Sequence, residues 1–324
     1  MKYDFITIGG ATEDITFFTR EGILIDNKKD ILRQKLLAFE YGAKMKIDKS
    51  YSTFGGGAAN AAVNLAGLGF KTVALVAIGE DQRGERVLEN LEKRKVDIRM
   101  VQKIKNHETG FSFILINPEK IVFSNRAANE ELRIRSQELK NLKRAEWAFI
   151  TSLSGKWEEV LRKVFSVKDL KIAWNPGHVQ LKAGTRRIGR FLRKTKVLFV
   201  NKDEAIELVI SRANNKNKGF KYLNNTRNLF MEIKKMGPEI TVITDGEKGA
   251  DAYDGINFYH QGILKERKRM DVTGVGDAFN SSFLAGLKIY HGDIQKAMHL
   301  GVKVTSSVIG QQGAQNGLLK RGEL

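Results

Sequence analysis

Cysteine is absent from the 324 residues, which excludes disulfides, thiolate nucleophiles and cysteine-ligated zinc or iron–sulfur centres. Histidine is scarce as well, with five scattered residues and no metal-ligand spacing among them. No run approaches the ~18 apolar residues of a membrane span. The opening residues, Met1 to Gly10, read as a short strand rather than a signal peptide. The expectation is a cytoplasmic protein with no membrane partner. No internal repeat or low-complexity linker is visible, and 42% hydrophobic content is ample for the core of one large α/β domain, or of a large domain with a small appendage.

Negative charge is in deficit: 37 Asp and Glu against 55 Lys and Arg leave a net charge of +18. Such a balance raises the question of a nucleic-acid partner. The basic residues, however, are spread over expected helices at 131–144, 156–171, 182–196 and 216–235, mixed with apolar positions as on solvated amphipathic faces. With no zinc-finger spacing, RNA-recognition aromatic motif or long basic tail, nucleic acid is not the expected main partner. A general pull on phosphorylated ligands fits the charge better.

What the chain does have is a concentration of chemistry at 271–287, Asp271-Val-Thr-Gly-Val-Gly-Asp277 followed by Ala-Phe-Asn-Ser-Ser-Phe-Leu-Ala-Gly-Leu287. Gly274 and Gly276 remove the Cβ atoms that would keep a ligand from the backbone. Phe279, Phe283, Gly286, Leu287 and Tyr290 then recur at the spacing of a buried helix face. The free N–H groups of such a helix start attract anions, phosphate above all. A carboxylate there should repel phosphate, so Asp277 has two readings. It is either a helix cap, or a base that takes a proton from a substrate hydroxyl attacking a bound phosphoryl group.

Earlier in the chain, residues 3–10 form an expected buried strand ending at Gly9-Gly10, and Asp14 follows it, either as a solvated loop acid or as a ligand for substrate hydroxyls. Short strand-like runs at Ile15 to Phe18, Ala43 to Ile47 and Tyr51 to Phe54, with a charged stretch at 26–35, are too irregular for a main sheet. A hairpin is expected at 109–116 and 119–125 around Asn117-Pro118. These pieces could form a small sheet over the active-site crevice, excluding water. Gly55-Gly-Gly-Ala-Ala-Asn60 opens an alanine-rich helix running to Gly69. It lacks the third glycine of a dinucleotide fingerprint, and no Walker-type loop exists. Asn60 is either a cap on a packing helix or a ligand-facing amide. Strand-like runs at 72–78, 146–152, 171–175, 196–200, 240–244 and 250–253 alternate with helices at 83–95, 156–167, 184–194, 203–210 and 226–236. That alternation predicts a mostly parallel sheet with helices on both faces. The Asn- and Lys-rich segment 211–225 looks like a surface insertion.

Both glycine stretches, in this order, resemble the two signatures of the ribokinase-like (PfkB-type) carbohydrate kinases. Asn201-Lys-Asp-Glu204 resembles that family's Asn-x-x-Glu motif, and Thr244 to Gly249 its nucleotide loop. The resemblance implies a three-layer α/β/α domain with a mostly parallel central sheet (1–13, 56–105 and 126–324) and a small β lid (14–55 and 106–125). It implies that Asp277 is the catalytic base and that the backbone N–H groups of Gly274, Val275, Gly276 and Asp277 form an anion hole. By the same resemblance Asp14, Gly56, Gly57 and Asn60 line the sugar pocket, with Arg126 and Asn129 as further substrate contacts. Asn201 and Glu204 would serve the nucleotide and Mg²⁺, Glu204 partly through water. Thr244, Gly246 and Gly249 would border ATP, and Asp271 with Gly313 would lie near a monovalent cation such as K⁺.

Departures bear on the substrate. Gly57 stands where ribokinases carry a lysine, and Thr151 or Ser152 where they carry a glutamate; Val272 and Ser282 also differ from common family residues. The expected reaction is ATP-dependent phosphorylation of a hydroxymethyl group on a sugar or sugar acid, with fructose or 2-keto-3-deoxygluconate-like compounds ahead of ribose. A nucleoside kinase is the alternative, if Phe17, Phe18 and Phe54 sandwich a base. A non-catalytic sugar-sensing or nucleic-acid-binding derivative is the third reading. A homodimer formed through the lid is also expected, because exposed apolar strands invite pairing.

Overall fold

The computed structural model describes residues 2–27, 35–117, 119–212, 218–264 and 271–324. Two sheets organise them. The larger has nine strands in the order β15-β14-β13-β12-β11-β10-β1-β6-β7. Its parallel part comprises β1 (Tyr3–Gly9), β6 (Thr72–Gly79), β7 (Gln102–Ile104), β10 (Ala145–Ile150), β11 (Lys171–Trp174), β12 (Val197–Asn201) and β13 (Ile240–Thr244). Two strands, β14 (Ala250–Tyr253) and β15 (Phe258–Gln261), extend it antiparallel at one edge.

Side chains along these strands alternate between two cores, as a sheet buried on both faces requires. Phe5, Trp147, Phe149, Ala173, Phe199 and Val242 enter one core; Ile6, Ile8, Ala148, Ile150, Trp174, Leu198 and Ile243 enter the other. The first core is closed by α1 (Gly57–Gly67), α9 (Val275–Ile289) and α10 (Ile294–Val308). Packed on the second are α3 (Ser136–Leu142), α4 (Trp157–Val164), α5 (His178–Leu192), α6 (Lys202–Ile210), α7 (Phe220–Leu223) and α8 (Thr226–Lys234). A satellite core joins α1 and β6 to α2 (Gln82–Lys93). On α9 the expected face is in place: Phe279, Phe283, Gly286 and Leu287 are buried.

The smaller sheet has the order β5-β2-β8-β9. It joins β2 (Thr12–Phe18), β5 (Lys49–Gly55), β8 (Phe111–Asn117) and β9 (Glu119–Asn125). Neighbours run antiparallel except β2 and β8, which are parallel. A separate hairpin of β3 (Ile23–Asp26) and β4 (Lys35–Ala38) precedes β5.

Several details differ from the sequence-based expectation. Ala43 to Ile47 is not a strand, because it pairs with no neighbour, and the ladder partner of β2 begins only at Lys49. The hairpin β3-β4, the short strand β7, the edge strand β15 and the helix α10 were not foreseen. Helix is confined to Ser136–Leu142 within the expected 131–144. Pro118, most of the charged stretch at 26–35, and residues 213–217 of the expected insertion lie outside the described residues.

Candidate active site

The carboxyl ends of the parallel strands deliver most of the candidate residues to one side of the sheet. Gly9 ends β1, Thr151 follows β10, Asn201 ends β12 and Thr244 ends β13. Helix α9 begins beside them. Its N-cap Gly274 has φ +73, in the left-handed region, and a Cβ there would lie 2.3 Å from the Ala314 Cβ. Glycine is therefore required by both backbone and space. The first hydrogen bond of the helix runs from Ala278 N to Gly274 O at 2.9 Å, so the N–H groups of Val275, Gly276 and Asp277 have no intrahelical acceptor.

Asp277 is not a cap; its side chain turns toward α1. Asn60 Nδ2 donates to its Oδ2 at 2.8 Å. A Cβ at Gly57 would come within 3.1 Å of Asp277 Oδ1 and 3.0 Å of Thr151 Cβ, so this glycine brings the start of α1 against the carboxylate. Burial pushes the Asp277 carboxyl above the usual aspartate range, the nearby charge of Asp14 adds to the rise, and the Asn60 donor opposes it. Asp14 itself is 6% exposed and accepts from Thr12 Oγ1 at 3.0 Å, lying against Gly55. A carboxylate with a raised pKa, held beside rather than on free helix-start amides, can accept a proton near neutral pH next to an anion bound there.

Around this centre the amides are joined in a row. Asn60 Oδ1 accepts from Gln315 Nε2 at 3.0 Å, and Gln315 Oε1 accepts from Asn90 Nδ2 at 2.8 Å. Asn64, one turn beyond Asn60, donates to Ser281 Oγ and Ser282 Oγ, both at 2.8 Å, and fastens α1 to α9. The departure at Ser282 thus has a packing role.

The second candidate cluster lies at β12 and β13. Asn201 and Glu204 form a reciprocal cap: Glu204 N donates to Asn201 Oδ1 and Asn201 N to Glu204 Oε2, both at 2.8 Å. Burial raises the pKa of Glu204; the charges of Glu207 and Asp203 act the same way and the Asn201 N–H opposes them. Beyond Thr244, the turn of Gly246–Lys248 ends at Gly249. Asp245 in it accepts from Lys202 Nζ at 3.2 Å, which ties the loop to the start of α6.

Asp271 closes the turn before α9 on itself. Its Oδ1 accepts from Thr273 N and Thr273 Oγ1 at 2.8 and 2.6 Å, and its Oδ2 from Gly313 N at 3.0 Å. Tyr51 of β5 also reaches Asp271: burial raises the pKa of this phenol, a hydrogen bond with Thr16 opposes the rise, and the Asp271 carboxylate reinforces it. The smaller sheet therefore touches the turn before α9 directly.

Arg126 and Asn129 fare differently. Asn129 is 6% exposed and exchanges hydrogen bonds with the backbone of Ala11, accepting from N and donating to O, both at 3.0 Å. Its amide fixes the turn between β1 and β2. Arg126 is exposed and makes no ion pair among the described residues. The three phenylalanines do not converge. Phe17 and Phe18 are neighbours on β2 and point to opposite faces. Phe54 packs on the satellite core, and Phe18 pairs with Tyr51 at 5.9 Å between ring centroids. Gly56 immediately precedes α1 as its N-cap.

Sequence reasoning missed Gln315, Asn90 and Tyr51, and noted Thr151, which is buried at this centre, only as a departure. No local pattern marks them, since Gln315 and Asn60 are 255 positions apart. Glu13, next to Asp14 on β2, is heavily paired. It accepts from Arg83 Nε at 3.2 Å, Arg86 Nη2 at 2.8 Å and Ser52 Oγ at 2.9 Å.

Residues 29–321 match the pfkB family carbohydrate kinase profile. The chain belongs to the pfkB family of carbohydrate kinases. It is a phosphotransferase that acts on alcohol groups, a kinase of the sugar and nucleoside type, and members of its family generally use ATP with Mg²⁺. An ATP-dependent 6-phosphofructokinase of Thermoanaerobacterium thermosaccharolyticum is 23% identical over 318 residues, covering 92% of this chain and 94% of that protein. Among solved structures, Arabidopsis thaliana ribokinase complexed with ribose and ATP superposes with a TM-score of 0.81 at 18% identity, over 100% of this chain and 97% of that one. Methanocaldococcus jannaschii nucleoside kinase gives 0.76 at 21%, over 99% and 96%. These likenesses confirm the expected ribokinase-like fold. No helix among the described residues is long and apolar enough to cross a membrane.

Proposed function

We propose that this kinase transfers the γ-phosphoryl group of ATP to a hydroxymethyl group of a sugar or sugar acid, with fructose-like and 2-keto-3-deoxygluconate-like acceptors ahead of ribose. The observation that carries the reading is the Asp277 carboxylate, held off the cap position and against Gly57 and Asn60 at the start of a helix with free amides. Asp277 takes the hydroxyl proton as the oxygen attacks phosphorus. The N–H groups of Gly274, Val275, Gly276 and Asp277 neutralise charge on the transferred group. Asp14, Gly56, Gly57 and Asn60 border the acceptor, and Arg126 reaches it from the rim. Asn129 acts at one remove, through Ala11.

The nucleotide rests along Asn201, Glu204, Thr244, Gly246 and Gly249. Glu204 fits a role toward Mg²⁺: one oxygen is committed to Asn201 N, which leaves the other for a metal-bound water. When bound, Mg²⁺ neutralises phosphate charge. A monovalent cation beside Asp271 belongs to the same reading, and activity in potassium against tetramethylammonium chloride tests it. Segments 14–55 and 106–125 act as the lid over the main domain formed by 1–13, 56–105 and 126–324. Phe113 and Phe123, opposite each other on β8 and β9, are 39% and 56% exposed and offer a second copy a surface for lid-to-lid pairing. The particle mass in solution, with and without Phe123→Asp, tests it.

Against ribose speaks Gly57, where the lysine of ribokinases is absent. The fructose-related relative favours a six-carbon acceptor. A nucleoside acceptor is the second reading, favoured by the Phe18–Tyr51 pair on the same strand face as Asp14. The deciding experiment is Mg²⁺- and ATP-dependent ADP release with fructose, fructose 6-phosphate, 2-keto-3-deoxygluconate, ribose, adenosine, inosine and cytidine, using Asp277→Asn as the blank. Turnover in that variant equal to the wild type overturns the base assignment. Nucleoside turnover without sugar turnover selects the second reading.

A further inference from the structure

Three uncharged side chains stand in line behind Asp277, and the direction of their hydrogen bonds is not free. An ionised carboxylate only accepts. Asn60 must therefore present Nδ2 to Asp277, which turns its Oδ1 outward. That oxygen can be met only by a donor, so Gln315 presents Nε2 and turns Oε1 outward in turn. Asn90 then supplies Nδ2. The three distances, 2.8, 3.0 and 2.8 Å, are those of ordinary hydrogen bonds. Asn60 and Gln315 are 5% and 4% exposed, so water does not substitute freely for a misdirected amide. Turning Asn60 or Gln315 over would set donor against donor and acceptor against acceptor at two joints of the row, and turning Asn90 over would do so at one, a costly state where the row is buried.

We propose that Gln315, itself oriented by Asn90, is a positioning residue that locks the Asn60 amide with its N–H toward Asp277 and so holds the base in its ionised, proton-accepting form. The inference rests on Asp277 being the base. A protonated Asp277 still has an oxygen that can accept from Asn60 Nδ2, but that bond loses the charge assistance it has with the carboxylate. The row thus favours the carboxylate over the carboxylic acid, opposing the burial and the Asp14 charge that act the other way. Asp14 on β2 is the charged group acting on Asp277. The other elements against it bring Asn60 and Gly57 from α1, Thr151 from the end of β10 and, behind Asn60, Gln315 from the C-terminal loop, all uncharged.

Two substitutions at one position separate orientation from mere packing. Gln315→Leu removes the lock. Gln315→Glu reverses it, because an ionised carboxylate there accepts from Asn60 Nδ2 and leaves Oδ1 facing Asp277. The measurement is kcat against pH with saturating ATP and acceptor, together with both KM values and the melting temperature. Ionisation of ATP is common to all variants and cancels in the comparison. Gln315→Leu should raise the acid limb by about one pH unit, a tenfold change in the proton equilibrium, with the KM for ATP unchanged. Gln315→Glu should be the poorer enzyme at neutral pH and recover as the introduced carboxyl is protonated and can donate to Asn60. Because the row ends on the half-buried Asn90, Asn90→Asp reverses it from outside and provides a milder form should either Gln315 variant fail to fold.

An acid limb that stays at the wild-type pH in folded variants, or equal losses in Gln315→Leu and Gln315→Glu at every pH, overturns the proposal and leaves Gln315 a packing residue. Full activity in Asp277→Asn would instead remove the base assignment beneath it, so the two failures are told apart.

Discussion

Two helix starts face the same crevice and treat their amides in opposite ways. At α6 the sequence partly satisfies itself: Asn201 and Glu204 cap each other, which pairs the N–H groups of both. At α9 the acid at the corresponding turn looks away. Asp277 bonds across to Asn60, and Gly274, without a side chain, caps nothing. One start is capped by its own residues; the other leaves its first amides without an intrahelical acceptor. The contrast teaches that a helix N-terminus keeps amides available to an anion when its own side chains do not fill it, and that a carboxylate is tolerated there when a neighbouring element holds it aside.

The comparison can be broken from the open side with the largest effect. Asp277→Asn should lower kcat by about 10²–10⁴, the range of general-base catalysis, with acceptor KM nearly unchanged in steady-state assays. The same variant should melt at a higher temperature than the wild type at pH 7. The folded-state pKa of Asp277 is raised, so its ionisation opposes folding; that cost is absent below the unfolded pKa and fully present above the raised one. A lower melting temperature would show that burial does not dominate its environment. The acid limb of kcat should accordingly lie above the ordinary aspartate range, activity falling as pH drops through it, as a pH–rate profile will show. Because Asp14 interacts with Asp277, the limb belongs to the pair.

Gly274→Ala sharpens the contrast by spoiling the open start alone. The methyl group meets Ala314 and a left-handed φ, so strain of about 1–2 kcal/mol is expected, read as a lower midpoint in urea together with a raised KM for ATP. Closing the comparison from the capped side is milder. Asn201→Ala should cost about 1 kcal/mol of stability and Glu204→Gln should raise the Mg²⁺ requirement several-fold without lowering the melting temperature, since the raised pKa of Glu204 makes its ionisation oppose folding. If both instead abolish turnover as Asp277→Asn does, the capped start is part of the reacting centre and the distinction between the two helices fails.

A second contrast lies within β2. Glu13 and Asp14 are adjacent, and alternation sends them to opposite faces. Burial would raise the pKa of Glu13, but hydrogen bonds from Arg86 and Ser52 and the charges of Arg86 and Arg83 hold it below the ordinary value. Asp14 instead faces another carboxylate. Glu13 fastens the smaller sheet to α2; Asp14 lies near Asp277. Sequence adjacency hid this division, because both acids follow the same strand end.

Much of the architecture was legible because it rests on local periodicity. The alternation of buried strands with amphipathic helices, the face of α9 and the glycine turns before α1 and α9 are patterns of a few to twenty residues. Where the pattern was short or irregular the reading failed, as at Ala43 to Ile47, or passed over an element, as at β7 and β15, whose three and four residues carry too little periodicity. In the candidate site, the residues with unusual backbone demands or an unexpected charge, such as Gly274, Gly57 and Asp277, announced themselves. The sequence by itself determined which helix starts could face a ligand, since glycine and a displaced acid are local facts of chain chemistry. Only the tertiary structure decided that Asn60 turns its N–H toward Asp277, that Gln315 and Asn90 stand behind it, and that Tyr51 reaches Asp271. Those contacts join segments up to 255 positions apart, and hydrogen-bond direction in a buried row is set by what packs at its two ends.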